Sequence, residues 1–430
     1  MIEKKLNIGM FGLGTVGSGV YNYLEKEKKS LYEKHGIIPI IKKIVVKDIH
    51  KKRSISLPKG ILSSDYKSIL DDSSIDMVIE VMGGEQAYNS VILPALRNKK
   101  HVISANKGVV SSHADKIVKE ARRNSVFFGF KATLTGCNLL LDQLARFVTC
   151  KSIIGILNST SNFILSKMGE NSLSLGDSLS LAQQLGYAEA DPSDDIDGID
   201  TKNKLILLSQ LAFNIGLTNK QMGEIKLEGI RDIDLNDIVY AKELEPSYKI
   251  KLLGIAEKKG NQFNIVVHPC LVPKNCDIGR ADGVNNYLHI DDEIRGQSGI
   301  NAPGAGAGPT ASAIVADIIG VASDRAIAWP EQIVAAKLMN FRSNEYKYYI
   351  RFAAVNKPGV LAKITSILAK KDINIVSVLQ KPNEENGAVP VIVLTDKAIE
   401  KNVQSAKKEL DKLDILHKPV KLIRVYEMPS

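Results

Sequence analysis

The run Lys5-Leu6-Asn7-Ile8-Gly9-Met10-Phe11-Gly12-Leu13-Gly14-Thr15-Val16-Gly17 decides the fold of this chain. Lys5 to Phe11 is apolar enough for a buried strand and Ser18 to Lys29 reads as a helix, so the three glycines fall on a strand-to-helix turn. Alone, G-x-G-x-x-G is a weak signal; between a strand and a helix it marks a dinucleotide-binding turn. Gly12 makes the tight turn, Gly14 lets backbone approach a pyrophosphate, and Gly17 lets the helix pack close on the strand. The helix start, with Thr15 and Val16, offers free amides and a positive dipole end to the phosphates. A merely tight turn would not need all three glycines in register.

The doubly wound pattern continues outward from there. Ile40 to Val46 reads as a second strand, and Asp76 to Met82 as a further buried one ending in Gly83-Gly84. Tyr88 to Asn98 reads as helix, His101 to Ser104 as strand, Asp115 to Asn124 as helix and Val126 to Phe130 as strand. Short apolar strands alternating with helices predict a parallel sheet covered on both faces. The second strand ends Val46-Lys47-Asp48, with Lys51, Lys52 and Arg53 behind it. An acid at that edge suits the ribose hydroxyls of NAD and a base suits a 2′-phosphate, so Lys47 tilts the reading to NADP(H), with NAD(H) as the other option.

The 430 residues can bury a large core in two or three domains, and 44% hydrophobic with 24% charged residues is the balance of a soluble globular protein. No apolar run approaches membrane-spanning length, and Met1 to Asn7 has no signal-peptide pattern, which predicts a cytoplasmic protein without membrane partners. Cys137, Cys150, Cys270 and Cys276 show no paired spacing for zinc or a disulfide framework. The net charge of +9 is spread among mixed Lys and Glu runs with no basic stripe interleaved with aromatics, which argues against nucleic acid.

A second segment carries chemistry. Gly186 to Lys204 (GYAEADPSDDIDGIDTKNK) places six carboxylates and two lysines ahead of an apolar helical run, Leu205 to Gly216. Asp191-Pro192 fixes a bend, because a residue before proline is pushed from helical angles. Asp200 and Lys204 lie four apart, on one face of the helix that follows. Such a pair is either a surface ion pair or a proton-handling pair beside a ligand.

These motifs, taken in order, resemble the homoserine dehydrogenase family. The resemblance runs from about Asn7 to about Ile318: the glycine turn, Val78–Gly84, Ser104-Ala105-Asn106-Lys107, Gly155–Asn162, Gly186–Lys204, and Gly304-Ala305-Gly306 running into Pro309–Ala313. It implies NAD(P)H-dependent, reversible reduction of L-aspartate 4-semialdehyde to L-homoserine, a step towards threonine and methionine. It implies Lys204, Asp200 and Lys107 as catalytic residues. Glu189, at the substrate amine, Asp195, Gly186, Asn158 and Thr160 become the substrate-binding set. The cofactor set becomes Gly12, Gly14, Thr15, Val16, Gly17, Lys47, Gly83, Ser104, Lys107, Gly186, Gly304 and Gly306. Chemistry agrees, since a carbonyl oxygen receiving hydride needs positive charge and a proton. The family's cation-site Glu is replaced here by Lys131, which cannot ligate a cation, so no metal is expected and dependence on a monovalent cation is doubtful. Ser159 and Ala302 also stand where the family usually has Gly.

Beyond Trp329-Pro330 the pattern becomes βαββαβ: strands Tyr346–Val355, Ile373–Leu379, Val389–Thr395 and Lys421–Tyr426, with helices from Lys357 to Lys371 and Ile399 to Leu413. This ferredoxin-like unit resembles an ACT domain through Pro358-Gly359-Val360-Leu361 and Asp372-Ile373-Asn374-Ile375. The resemblance implies a threonine effector touching Gly359, Asn374 and Gln380, although Asn356 stands where the family has Asp. The expected plan is α/β: a Rossmann-type parallel-sheet domain over 1–135, completed by a helix at about 305–325; an α+β catalytic and dimerisation domain over 136–304; a linker over 326–345; and a ferredoxin-like ACT domain over 346–428. A homodimer or homotetramer is expected. The alternative reading is a catalytically impaired amino-acid-sensing paralogue; retention of Lys107, Glu189, Asp200 and Lys204 argues against it.

Overall fold

Strand β1 (Lys4–Phe11) is the axis of the N-terminal sheet, with one parallel neighbour on each side. We describe the chain from a computed structural model, over residues 3–135, 141–144, 148–304, 307–323, 329–330, 333–380 and 388–427. It divides into two compact units, one of residues 1–150, 203–223 and 300–336, the other of residues 151–202, 224–299 and 337–430.

In the first unit β1 joins β2 (Ile37–Val45), β3 (Leu62–Ser63), β4 (Met77–Glu80), β5 (His101–Ser104) and β6 (Phe128–Gly129) in a parallel sheet of order β3-β2-β1-β4-β5-β6. This is the doubly wound order in which strand order reverses between β1 and β4, where ligands gather at the strand carboxyl ends. Phe11, at the end of β1, pairs with Val45 on one side and Glu80 on the other. Ile8, Met10, Ile79 and Ile103 of the sheet share one core with Val20 and Leu24 of the helix Thr15–Lys26 and with Ile314 and Ile318 of the helix Ala307–Ala322. Burial on both faces is why these strands read as continuous apolar runs. A small parallel pair, β8 (Ile215–Gly216) with β14 (Val334–Ala335), lies in the same unit.

One helix starts far ahead of its expected position. It spans Lys107–Arg123, because Asn106 caps it by accepting from the Val109 amide at 3.3 Å. Ser111, Ser112 and His113 interrupt the apolar periodicity of its first turns, which is why the pattern points to Asp115 instead. Lys107 therefore opens a helix rather than closing a strand.

The second unit is built on a long mixed sheet. Its strands are β7 (Cys150–Ile156), β9 (Lys226–Leu227), β10 (Tyr248–Lys259), β11 (Gln262–Pro273), β12 (Asn285–Asp292), β13 (Gly296–Pro303), β15 (Glu345–Val355), β16 (Ile375–Gln380), β17 (Ala388–Thr395), β18 (Ala398–Ile399) and β19 (Lys421–Val425). The order is β13-β12-β7-β10-β11-β19-β15-β17-β16, with β9 beside β11 and β18 beside β15. The last four, β19-β15-β17-β16, are the fourth, first, third and second long strands of the C-terminal module, the ferredoxin-like order, and they carry their own core around Tyr348, Phe352, Ile364 and Val403. The join is a parallel contact in which Cys270 faces Arg424 and Leu271 faces Val425, extended by the Tyr426 amide donating to the Leu271 carbonyl at 2.8 Å. The C-terminal strands thus continue the sheet that β7, β10 and β11 begin.

Candidate active site

The glycine turn has the geometry its sequence calls for. Gly12 sits at φ +103°, and a Cβ there would lie 2.6 Å from the Val81 carbonyl. A Cβ at Gly17 would lie 2.5 Å from the Gly12 carbonyl. Gly14, the N-cap of the Thr15–Lys26 helix, faces open space and makes no side-chain cap, so the first-turn amides, including those of Thr15 and Val16, remain available to a phosphate. The open face at Gly14 fits a dinucleotide.

A residue that sequence reasoning missed organises the neighbouring loop. Glu80, fully buried at the end of β4, accepts from the amides of Met82 (3.0 Å) and Gly83 (3.1 Å) and from the Ser104 hydroxyl (2.6 Å). The Ser104 oxygen accepts in turn from the Asn106 amide at 3.1 Å, and the Asn106 side chain donates to the Gly84 carbonyl at 2.8 Å. Burial pushes the Glu80 carboxyl above its ordinary value, and the three donors oppose that rise. The loop holding Gly83, at φ +71° with open space beside it, is thereby tied to the start of the Lys107 helix. The available signal was an acid ending a strand that is otherwise buried and apolar, since such an acid needs partners.

Lys47 is exposed just past the end of β2. Asp48 turns its Oδ1 to the amides of His50 (2.8 Å) and Lys51 (3.2 Å), and Arg53 donates to the Asp48 carbonyl at 2.6 Å. The acid beside Lys47 therefore builds its own loop.

In the second unit Asn158 gathers two of the predicted carboxylates. It caps the helix Ser159–Asn171 by accepting from the Ser161 amide at 2.7 Å. Its amide nitrogen donates to Asp195 Oδ1 at 2.6 Å and to Asp200 Oδ2 at 2.9 Å. Thr160 donates to the Tyr187 carbonyl at 2.8 Å, pinning the bend after Gly186, which is exposed at φ +75°. Glu189 is exposed on that bend, and its carbonyl accepts from Gln183 at 3.0 Å. Asp200 and Lys204 lie on successive turns of the helix Ile199–Phe213, and each is only 4% exposed. That excludes the reading as a solvated surface pair. Asn158, Asp195 and Asp200 are brought together; Glu189 stands apart from that group on the exposed bend.

Arg231 was also missed. It donates through Nε and Nη2 to both carboxylate oxygens of Asp197, which lowers the Asp197 pKa, chiefly by that hydrogen bond. Lys131 is buried, and its amide donates to Asp317 Oδ2 at 2.9 Å; the loop 136–140 lies outside the described residues. Gly304 is half-buried between β13 and the following helix, and Gly306 lies outside the described residues. Gly359 sits at φ +84° in open space before the helix Val360–Lys370; Asn374 and Gln380 are exposed before and at the end of β16. Among the described residues no group of three or more His, Cys, Asp or Glu could hold a metal ion, and no helix is long and apolar enough to cross a membrane.

A doubly wound sheet with an open glycine turn, together with a helix that buries an acid and an amine one turn apart, defines a nicotinamide-dependent oxidoreductase. Comparison with known proteins narrows the class. Residues 12–130 match the family model of the homoserine dehydrogenase NAD-binding domain, 137–319 that of homoserine dehydrogenase, and 348–414 that of the ACT domain. The chain is 35% identical to the homoserine dehydrogenase of Neisseria gonorrhoeae, covering 98% of this chain and 99% of that one, and 35% identical to that of Helicobacter pylori, covering 99% and 100%. The crystal structure of a homoserine dehydrogenase from Thiobacillus denitrificans superposes with a TM-score of 0.89 at 34% identity, covering 99% of each chain. The Staphylococcus aureus enzyme superposes at 0.77 and 29%, covering 99% of this chain and 100% of that one. The chain belongs to the homoserine dehydrogenase family.

Proposed function

We propose that this homoserine dehydrogenase reduces L-aspartate 4-semialdehyde to L-homoserine with NADPH, reversibly, in threonine and methionine biosynthesis, in the cytoplasm and as a homodimer or homotetramer. One observation carries the site assignment: Asp200 and Lys204 are both buried on one helix, with Asp200 held by Asn158 together with Asp195. Burying charge is costly unless it is used or paired, and exposed ion pairs contribute only about 0–1 kcal/mol. With all four of Lys107, Glu189, Asp200 and Lys204 retained, we do not propose a sensing paralogue without turnover.

A nicotinamide held by the glycine turn of residues 12–17 would supply hydride to the aldehyde carbon. Lys204 then has two tasks: its ammonium stabilises the negative charge developing on the carbonyl oxygen, and Nζ gives that oxygen its proton. Asp200, one turn earlier on the same helix, orients the amine. Lys107, first residue of its helix, supplies a second positive charge near the reacting end. Glu189 receives the substrate ammonium, and Thr160 supports it by fixing the bend at Tyr187.

The cofactor choice rests on the loop after β2. Because Asp48 is engaged by its own loop amides while Lys47 is exposed, a 2′-phosphate meets a lysine there. We expect kcat/KM with NADPH to exceed that with NADH by about tenfold or more, the worth of one charged contact of about 1.4 kcal/mol, and Lys47→Glu to narrow the gap. Equal specificity constants in the wild type would refute the preference.

Lys131 stands where the family resemblance places a carboxylate, and we propose that its buried side chain takes the place of a monovalent cation. Initial rates should then be the same in potassium, sodium and tetramethylammonium salts of equal ionic strength. A saturating activation curve for potassium would sink this. For the ACT module we propose threonine as effector, contacted by Gly359, Asn374 and Gln380. Titration calorimetry should detect threonine binding, weakened by Asn374→Ala; no heat at millimolar threonine would remove the sensing role.

A further inference from the structure

We propose that the segment Glu228–Asp237 is a strap that positions the substrate-binding carboxylates Asp195 and Asp200, and that the C-terminal domain holds the strap in place. The inference rests on the assignment of Asp195 and Asp200 to the substrate made above. It concerns what fixes them.

One side of the strap lies directly on the acidic segment. A Cβ at Gly229 would fall 2.1 Å from the Ile196 carbonyl oxygen and 2.6 Å from Asp197 Cα, so backbone packs on backbone with no room for a side chain. The Ile230 amide donates to the same Ile196 carbonyl at 2.8 Å. Arg231 grips both oxygens of Asp197 and donates to the Ser193 hydroxyl at 3.3 Å. These contacts fall within two residues of Asp195, and Asp197 lies three residues before Asp200; Asn158 ties Asp195 and Asp200 together.

The other side is anchored by three cations from two adjacent strands of the C-terminal module. Arg424 of β19 donates to Glu228 at 2.7 Å, and Lys421 of β19 to the Asp232 carbonyl at 2.5 Å. Arg351 of β15 donates to Asp234 and, at 2.7 Å, to Asp237. Four acceptors spaced along ten residues thus all meet bases of two neighbouring strands, while the one arginine of the strap grips the substrate segment. A site held by such a support keeps reacting groups within about 0.5 Å of their working geometry. Loosening either side relaxes substrate binding and leaves the dinucleotide turn, which these residues do not build.

The test uses the full-length enzyme in the homoserine-oxidising direction, with circular dichroism and melting temperature as folding controls. Arg231→Ala is expected to raise KM for homoserine about fivefold while KM for NADP stays within about twofold, the signature of lost ground-state positioning. Arg231→Lys should recover part of the loss. Lys421→Met, on the far side of the strap, should move the same constant in the same direction by a smaller factor. Asp195→Ala is the reference. If it raises the homoserine KM while Arg231→Ala and Lys421→Met do not, the strap is refuted and the site assignment stands. If Asp195→Ala is itself silent, the site assignment fails and takes the strap with it. A parallel loss for homoserine and NADP with a lowered melting temperature would mark Arg231 as merely structural and would also refute the proposal.

Discussion

Lys204→Ala is expected to lower kcat for aspartate semialdehyde reduction about a thousandfold, within the range of about 10²–10⁴ for loss of a general acid. Two contributions vanish together: the proton and the charge facing the developing oxyanion. Affinity for NADPH, read by quenching of its fluorescence or by nucleotide protection against proteolysis, should be unchanged, because the dinucleotide turn is built from residues 12–17 and 80–84. Lys204→Arg should fail to rescue turnover although it keeps the charge, since a guanidinium does not give up its proton near neutral pH. A rate for Lys204→Ala within about tenfold of wild type would remove Lys204 from the acid role, because general-acid loss costs at least about 10².

The second large effect is on stability. Arg424 is 4% exposed and Glu400 1% exposed. Arg424 donates to Glu400 through Nε (2.9 Å) and Nη2 (2.6 Å) and to Glu228 through Nη1 (2.7 Å). The Tyr348 hydroxyl (2.6 Å) and the Gln404 side-chain amide (2.9 Å) also donate to Glu400, completing the network. Arg424→Met leaves Glu400 buried without its cation, and breaking a buried pair from one side costs about 3–5 kcal/mol. The loss should appear in urea denaturation at neutral pH. The pH dependence follows from the same contacts. Although burial opposes it, Arg424 holds Glu228 down to about 2, from an ordinary 4.5, and also keeps Glu400 below its ordinary value. A carboxylate whose folded pKa is depressed stabilises the fold fully above its unfolded pKa and ceases to do so as pH falls through its folded one. Wild-type stability should therefore decline as pH falls from about 4.5 towards 2. In Arg424→Met, burial without the arginine favours the protonated acids, so the gap between the two proteins should shrink on acidification. A gap that stays constant across that range would show that the network contributes little.

The parts of this protein that were legible in its sequence are those set by local rules. The glycine turn announces itself because Gly12 needs a left-handed φ and Gly17 a bare α-carbon, and both demands sit between a strand and a helix. The C-terminal strands and helices follow from short apolar periods. The shared helix face of Asp200 and Lys204 follows from a four-residue spacing, which left their burial open. What escaped depends on distant pairings. Asn158 meets Asp195 and Asp200 from 37 and 42 residues away, and Arg231 meets Asp197 from 34. No spacing rule links such positions. The parallel contact of Cys270 with Arg424 spans still more chain, and short edge pairings leave little trace in composition. Glu80 is the intermediate case: its need for partners is readable, but not which partners it finds.

The sheet shared by β11 and β19 has a consequence for how this enzyme can be divided. A module that hangs from a linker can be cut away or exchanged without harm to its host. Here, removing the C-terminal module would strip the backbone partners from the Cys270–Leu271 edge of β11 and bare a strand whose flanking side chains, from Val266 to Val272, are buried. Exposed apolar edges of that kind recruit other chains. A shortened enzyme would be prone to self-association, and a transplanted module would need its new host to present a matching edge. In this architecture the C-terminal module is less an accessory than one end of a wall.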